Sequence, residues 1–272
     1  VTKIIVLLYL LSSIYAVYPP SLSEEAFVKY AAAAFSASYI EENTTENEDT
    51  NLIPLNVYTY ALKNLGYLDK EENTLAGFRN GILHFQADQN ILVDGTIGPV
   101  TIDKLNRKLS GACTVKHDIL ETETPEGYWI AINLSKRILT LYQDKEVLKK
   151  YPIAVGNPPS LSPTGKFTVA NKVVNPAWGG GGYASPVSGG SEKNPLGFRW
   201  IGMSHMGGYV YGIHGNNNPS SIGTNASKGC IRLLNEDVEE LFDIIRIGNE
   251  IWIGPDQVLR EWGVMQNECD CA

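Results

Sequence analysis

Two domains of different class are predicted, a small all-α three-helix domain followed by a mainly-β sandwich with one packed helix. Three observations carry this multidomain reading. Apolar residues recur at helical spacing between positions 56 and 109, they recur at spacing two from position 130 onward, and a stretch rich in Gly, Thr, Glu and Pro separates the two regimes. A chain of 272 residues is long enough to bury both cores. With 43% hydrophobic residues, 26 Gly and 14 Pro, it is neither disordered nor of low complexity. The formal charge of −8 argues against a nucleic-acid partner, because counterion release needs a basic face.

At the N-terminus, Lys3 precedes the apolar run Ile4 to Leu11, and Ser12-Ser13-Ile14-Tyr15-Ala16 follows. This reads as a secretory signal peptide, residues 1–16, with cleavage near Ala16. The run is shorter than the roughly 20 residues that a membrane span needs, so no transmembrane segment is expected after cleavage. The first cysteine is Cys113, which argues against a lipid anchor on the leader. A secreted or wall-facing location follows. Residues 17–50 hold an Ala-rich helical run and then an acidic linker, Glu41 to Thr50.

The helical domain spans residues 51–110. Val57, Tyr58, Ala61, Leu62 and Leu65 keep helical spacing and stop at Gly66; Phe78, Ile82, Leu83 and Phe85 form a second stripe; Ile102, Leu105 and Leu109 form a third. Asp94-Gly95 and Gly98-Pro99 set a tight turn before the last helix, which Thr101 is placed to cap or begin. Phe85-Gln86, then Asp94-Gly95-x-Ile97-Gly98-x-x-Thr101, then Leu105 resembles the three-helix peptidoglycan-binding domain of bacterial wall hydrolases. That resemblance implies glycan as a partner. The first half departs from it, because Leu68 to Glu72 contains no Asp-Gly turn.

A linker, 111–126, leads to the β domain, 127–255, and a C-terminal tail, 256–272. Ile130, Ile132 and Leu134 alternate with Ala131 and Asn133, and Ile138 to Tyr142 and Val147 to Val155 flank a Gln143-Asp144-Lys145 turn. Lys166 to Val174, Arg199 to Met203, Tyr209 to Ile213 and Glu250 to Ile253 are further strands. The one clear helix takes Asn235 as N-cap and carries Val238, Leu241, Phe242 and Ile245 on its apolar face.

The densest polar cluster runs from Ile213 to Leu233. A free thiol with a pKa near 8.5 is only about 3% thiolate at pH 7, so a nucleophilic cysteine needs a neighbouring imidazole or cation to depress its pKa. His214 and Cys230, with 15 residues between them, are the candidates. Gly229 leaves room for a substrate beside the thiol, and the Gly229 and Cys230 N–H groups would face an oxyanion. Arg232, two residues on, points to the same side of an extended strand and would hold a substrate carboxylate. The alternative reading makes Cys230 a buried filler and His214 a satisfied core histidine.

Tyr211-Gly212-Ile213-His214-Gly215 followed by Ser227-Lys228-Gly229-Cys230-Ile231-Arg232-Leu233 closely resembles the signature of the YkuD-type L,D-transpeptidase catalytic domain. Pro163-Thr164-Gly165-Lys166-Phe167 and Pro195-Leu196-Gly197 extend the resemblance across residues 127–254. Lys228 departs from the commoner form, which has a second His there. The resemblance implies an acyltransferase of peptidoglycan biosynthesis. Cys230 would attack the carbonyl of the third residue of a tetrapeptide stem, expel D-Ala and form a thioester, and an amine from a second stem would resolve it into a 3→3 cross-link. His214 would be the base, oriented by the Gly215 main-chain carbonyl; the Gly229 N–H would serve the oxyanion; Arg232, Ser227, Lys228 and Tyr211 would contact substrate. Water as acceptor would give an L,D-carboxypeptidase, and a carbapenem should acylate the same thiol.

No metal or other cofactor is expected, since His84 and His117 have no partners at ligand spacing. His205 reads as an exposed turn histidine. The Gly-rich run from Trp178 to Pro195 reads as a lid over the cleft or as an insertion without a role. One bridge between Cys113 and the Cys269-Asp270-Cys271 tail is open to the chain and would leave one Cys over, whereas Cys269 and Cys271 are poorly spaced to pair with each other. Papain-like peptidases put Cys before His, sortases place their Arg on a distant strand, and a non-catalytic wall-binding protein has no need of a thiol beside an imidazole.

Overall fold

The computed structural model describes residues 52–72, 74–111, 118–121, 123–204 and 211–268. The leader, the Ala-rich run, Cys113, His117, His205, Cys269 and Cys271 lie outside the described residues. Three helices come first: α1 (Leu52–Asn64), α2 (Leu75–Asp88) and α3 (Pro99–Leu109). Gly66, at φ +79°, turns the chain after α1. The Thr74 hydroxyl caps α2 by accepting from the Gly77 N–H at 3.0 Å. Gly98 is the N-cap of α3 and Pro99 its first residue, a position where the missing N–H costs nothing. Thr101 therefore neither caps nor begins that helix. Tyr58, Leu62, Ile82, Phe85, Ile102 and Leu105 form the helical core.

Four of the motif residues of this module, Phe85, Gln86, Thr101 and Leu105, are buried. Gln86, 1% exposed, donates to Asp94 Oδ1 (2.8 Å), the Thr96 carbonyl (2.9 Å) and Thr101 Oγ1 (3.1 Å), and accepts from the Asp94 and Gly95 N–H groups. Together these bonds clamp the turn before α3 around the buried Gln86 side chain, which gives the spacing a structural reason.

The rest of the chain is mainly β. The strands are β1 (Ile119–Leu120), β2 (Tyr128–Asn133), β3 (Ile138–Gln143), β4 (Glu146–Pro152), β5 (Val155–Gly156), β6 (Gly165–Val174), β7 (Arg199–Met203), β8 (Gly212–His214), β9 (Asn225–Ser227) and β10 (Ile231–Arg232). Helix α4 (Asn235–Ile244), strand β11 (Glu250–Gly254), helix α5 (Asp256–Glu261) and strand β12 (Val264–Met265) complete it. Eight strands make one mixed sheet, ordered β10-β8-β7-β6-β11-β2-β3-β4. Strand β6 makes the sheet curl. Its first half pairs with β11, its second half with β7, and the register shifts between Val169 and Asn171. The two halves and α4 thereby enclose a single core that includes Ile130, Phe167, Ile201, Ile213, Ile231, Val238 and Leu241.

Three further features differ from the sequence reading. Leu234, not Asn235, is the N-cap of α4; Asn235 is its first residue, and its amide is used on the loop that follows β8. The expected linker and tail are partly built into the fold, because β1 pairs antiparallel with β12, and Gln266 is buried between Thr140 and Asn133. The helical module also shares a core with the β domain. Leu83, Ala87 and Val93 pack with Ile138, Ala154, Ile222 and Leu234. No helix among the described residues is long and apolar enough to cross a membrane.

At this junction His84 Nε2 of α2 lies 3.5 Å from Asp237 Oδ2 of α4. Burial drives His84 down to about 4, with Lys149 adding to the shift and Glu240 opposing it. Burial drives Asp237 up to about 8, opposed by Lys149 and reinforced by Glu236 and Glu240. Both groups are then neutral near pH 7, and the contact is not an ion pair. Between pH 4 and 6.5 the unfolded chain binds more protons at His84 than the folded one, so this residue makes stability rise with pH. Asp237 acts oppositely. Its folded form keeps a proton that the unfolded carboxylate releases near pH 4, so its contribution falls as pH rises to about 8. Above pH 6.5 only that fall remains of the pair. Stability against urea is expected to decline between pH 6.5 and 8 by on the order of 1–2 kcal/mol, and D237N to abolish the decline. Urea titrations across this range test it, and a D237N curve parallel to wild type would refute the assignment.

Candidate active site

Strand pairing explains how His214 and Cys230 meet. Strands β8 and β10 lie parallel, with Ile231 opposite Ile213 and Arg232 opposite His214, so Cys230 emerges level with Gly212. In extended strands alternate residues share a face, which puts Gly212 and His214 beside Cys230 and Arg232. Residues 215–229 form the crossover loop between the two strands. On its other side, β8 places His214 opposite Trp200 of β7. The indole and imidazole rings stack 5.8 Å apart at 20°. A Cβ at Gly212 would lie 2.5 Å from the Trp200 ring, so this glycine makes the room that the indole fills. Trp200 is not among the residues that the sequence singles out. Its signal is the pairing of one bulky strand residue with a glycine on the next strand, which becomes visible only once the register is known.

His214 is buried, and its Nδ1 donates to the Gly215 carbonyl at 2.6 Å. A carbonyl can only accept, so neutral His214 carries its hydrogen on Nδ1 and presents a lone pair on Nε2. Burial drives the imidazole down to about 4; the Gly215 bond opposes this and Arg232 adds to it. Cys230 is a free thiol, partly exposed. Burial pushes its pKa up, while a Gly212 backbone hydrogen bond and Arg232 pull it down. The sequence reading asked for a depressed thiol; here desolvation wins, and the resting pair is a neutral thiol beside a neutral imidazole.

The crossover loop is held by asparagines. Asn235 Oδ1 accepts from the Asn216 N–H and its Nδ2 donates to the Asn216 carbonyl, both at 3.0 Å. Asn216 in turn donates from Nδ2 to the Leu233 carbonyl and accepts on Oδ1 from the Asn218 N–H. Gly197, at φ +63°, and Gly215 both press on this lock, each with a built Cβ within 2.2 Å of Asn235 Oδ1. The Pro195-Leu196-Gly197 string therefore has a steric reason.

Around the thiol, the remaining predicted residues divide. Ser227 is buried; its hydroxyl donates to the Cys230 carbonyl at 2.5 Å and accepts from the Gly229 N–H at 3.1 Å. Two expectations change as a result. Ser227 is spent on the turn instead of on a substrate, and the Gly229 N–H is engaged, which leaves the Cys230 N–H of the two proposed oxyanion donors. Gly229 sits at φ +110°, and a Cβ there would lie 2.5 Å from Tyr211 Cε1, so Tyr211 packs against the turn. Arg232 Nε is buried without a hydrogen-bond partner among the described residues, beside the thiol. Lys228 is exposed and holds its ammonium 3.4 Å from the centre of the Tyr183 ring. The cation acting on the thiol is thus Arg232 and not Lys228.

Tyr183 belongs to the Gly-rich segment, a flap whose two ends are tied together. Trp178 and Val187 exchange two backbone hydrogen bonds of 2.9 Å at its base, and buried Asn194 donates to the Pro176 carbonyl. At its tip Tyr183 is 62% exposed beside Lys228. Among the described residues no group of three or more His, Cys, Asp or Glu side chains could hold a metal ion.

The fold and the site define a class: a cysteine and a histidine on adjacent parallel strands of a curled, mainly-β domain. The family model for the L,D-transpeptidase catalytic domain matches residues 127–253. The putative L,D-transpeptidase YkuD of Bacillus subtilis is 36% identical over 168 residues, covering 60% of this chain and 91% of the relative. The putative L,D-transpeptidase YqjB of the same organism is 37% identical over 138 residues, covering 50% of this chain and 76% of the relative. An L,D-transpeptidase crystal structure from Xylanimonas cellulosilytica shares the fold, with a TM-score of 0.50 and 21% identity over 74% of this chain and 92% of that one. The chain belongs to the L,D-transpeptidase family. The helical module lies outside the matched segment.

Proposed function

We propose that the chain is an extracytoplasmic enzyme that cross-links peptidoglycan through a cysteinyl thioester. The observation that carries this reading is the parallel register of β8 and β10, which sets Cys230 beside a histidine whose tautomer is fixed by Gly215. Cys230 Sγ attacks the carbonyl carbon of the third stem residue while His214 Nε2 takes the thiol proton. Negative charge gathers on the carbonyl oxygen, where the Cys230 N–H and the guanidinium of Arg232 oppose it. The tetrahedral adduct collapses, the bond to D-Ala breaks, and the leaving amine takes the proton from His214. An amine of a second stem then attacks the thioester, giving up a proton to His214, which returns it to the departing sulfur. The product is a 3→3 cross-link and a regenerated thiol. Water in place of the amine gives a carboxypeptidase by the same steps. The stem would lie against Tyr183, at the exposed tip of the flap, and Lys228 of the crossover loop, whose ammonium meets that ring. Export on the N-terminal leader, and retention at the wall by the helical module, belong to the same reading.

A carbapenem mimics the acyl donor and tests the proposal. Intact mass of the full chain is expected to rise by one carbapenem on incubation, and the C230A chain is expected to stay unmodified. An unmodified wild type, or an equal adduct on C230A, would sink the acyl-enzyme proposal.

A further inference from the structure

The crossover loop between His214 and Cys230 is held on one side by the helical module. Arg79, on α2, donates from Nη2 to the Ile222 carbonyl at 2.7 Å and to the Asp94 carbonyl at 3.4 Å. Ile222 is fully buried in the shared core, against Leu83 and Val93 of the module. The next residue, Gly223, sits at φ +83°, where a Cβ would lie 2.9 Å from Leu83 Cδ2 and 3.3 Å from the Asp94 backbone. Arg137 ties the same place from the sheet, donating to the Val93 carbonyl at 3.0 Å and to Asn225 Oδ1 at 3.1 Å. From Asn225 the loop runs as β9, paired with β5, directly into the Ser227 clamp on Gly229 and Cys230.

The Arg79 side chain is an expensive choice for packing alone. Its Nη1 is buried without a hydrogen-bond partner among the described residues, and an apolar residue would fill the space without leaving a buried donor unmatched. What a guanidinium adds is a charge-assisted bond to a loop carbonyl eight residues from the thiol. We propose that Arg79 is a positioning residue, through which the helical module holds the crossover loop so that Cys230 meets His214 in reacting alignment. The inference rests on the thioester reading above and adds to it that the module is part of the catalytic apparatus.

Full-length wild type, R79M and R79K are compared in the concentration dependence of carbapenem acylation, alongside their unfolding midpoints. R79M is expected to lower the limiting acylation rate about tenfold. The carbapenem concentration giving half that rate should stay within about twofold, because the loop carbonyl does not touch the ligand. R79K, which still donates a charged hydrogen bond, should recover most of the rate. A wild-type limiting rate per folded molecule in R79M, or an R79K as slow as R79M, overturns the proposal. If R79M does not fold, R79Q takes its place with the same expectations. Should wild type itself fail to acylate, the thioester reading falls, and Arg79 is read from iodoacetamide alkylation of Cys230. A shift of the pH midpoint by about half a unit in R79M, reversed in R79K, then supports positioning, and an unmoved midpoint overturns it.

Discussion

Replacing His214 with glutamine is expected to slow acylation of Cys230 about 10³-fold, the largest effect on activity of any substitution except that of the thiol itself. The size follows from the resting state. In a site holding a thiolate–imidazolium pair, the nucleophile is ready before the substrate arrives. Here burial keeps the imidazole down at about 4 and pushes the thiol up, so neither group is charged at pH 7. In the proposed mechanism the proton must leave Sγ during attack, and the His214 Nε2 lone pair takes it. Glutamine offers no basic nitrogen. The same protonation states predict the pH profile. Because His214 has a depressed pKa, the competent neutral form persists down to about pH 4, and below that the acylation rate should fall tenfold per unit. Stopped-flow acylation between pH 3 and 9 reads both effects. A wild-type rate that already declines through pH 6.5 would show an ordinary histidine and remove the neutral-pair account, and an H214Q rate near wild type would remove His214 from the chemistry.

The residues proposed to carry this chemistry can be picked out of the sequence because they are local in it. His-Gly and Ser-x-Gly-Cys-x-Arg are short strings, and the strands that end in them alternate with a clear period. The helical core was legible for the same reason, since Leu62, Phe85 and Leu105 fall on single stripes. What was not legible depends on partners far along the chain. Leu83, which the sequence groups in one stripe with Ile82 and Phe85, packs with Ala87 in a different cluster, so α2 is apolar on two faces, and no periodicity says that the second face meets Ile138 and Ile222. Asn235 looked like a helix cap because it precedes Glu236 and Asp237, but its amide closes on Asn216, 19 residues away. Strands β1 and β12 are two residues each and have no pattern of their own; only pairing defines them. The flap likewise has a Gly-rich composition that reads as loose, whereas Asn194 and the Trp178–Val187 hydrogen bonds give it a closed base. Composition reports backbone freedom and not the long-range bonds that remove it.

The same long-range contacts set the largest expected loss of stability, in K150M. Lys150 of β4 is 5% exposed and Asp118 is 7% exposed. The ammonium donates to Asp118 Oδ1 and to Asn90 Oδ1, each at 2.5 Å, and Tyr142 OH donates to Asp118 Oδ2 at 2.5 Å. Asn90 Nδ2 completes the set by donating to Asp118 Oδ1 at 2.9 Å and to the Asn267 carbonyl. Asp118 Oδ1 accepts two hydrogen bonds and Oδ2 one, so both carboxylate oxygens are bonded and the network tolerates burial. Removing the cation leaves the Asp118 carboxylate in the interior with hydrogen bonds but no countercharge, which costs about 3–5 kcal/mol. That is a large share of the roughly 5–15 kcal/mol available to a domain. The double variant K150M/D118N removes the charge along with its partner, and the amide oxygen that D118N introduces would still accept from Tyr142 OH; most of the loss should then return. Urea unfolding of the two single variants and the double closes the cycle. A K150M loss below about 1 kcal/mol, or a double variant no better than K150M, would show that solvent reaches the carboxylate. The outcome also bears on activity. Asn90 lies just past the end of α2, Asp118 leads into β1, and Lys150 lies on the strand that α2 covers, so this network fastens the helical module to the sheet. If the module holds the crossover loop through Arg79, K150M protein that remains folded should acylate more slowly, and the double variant should regain rate and stability together.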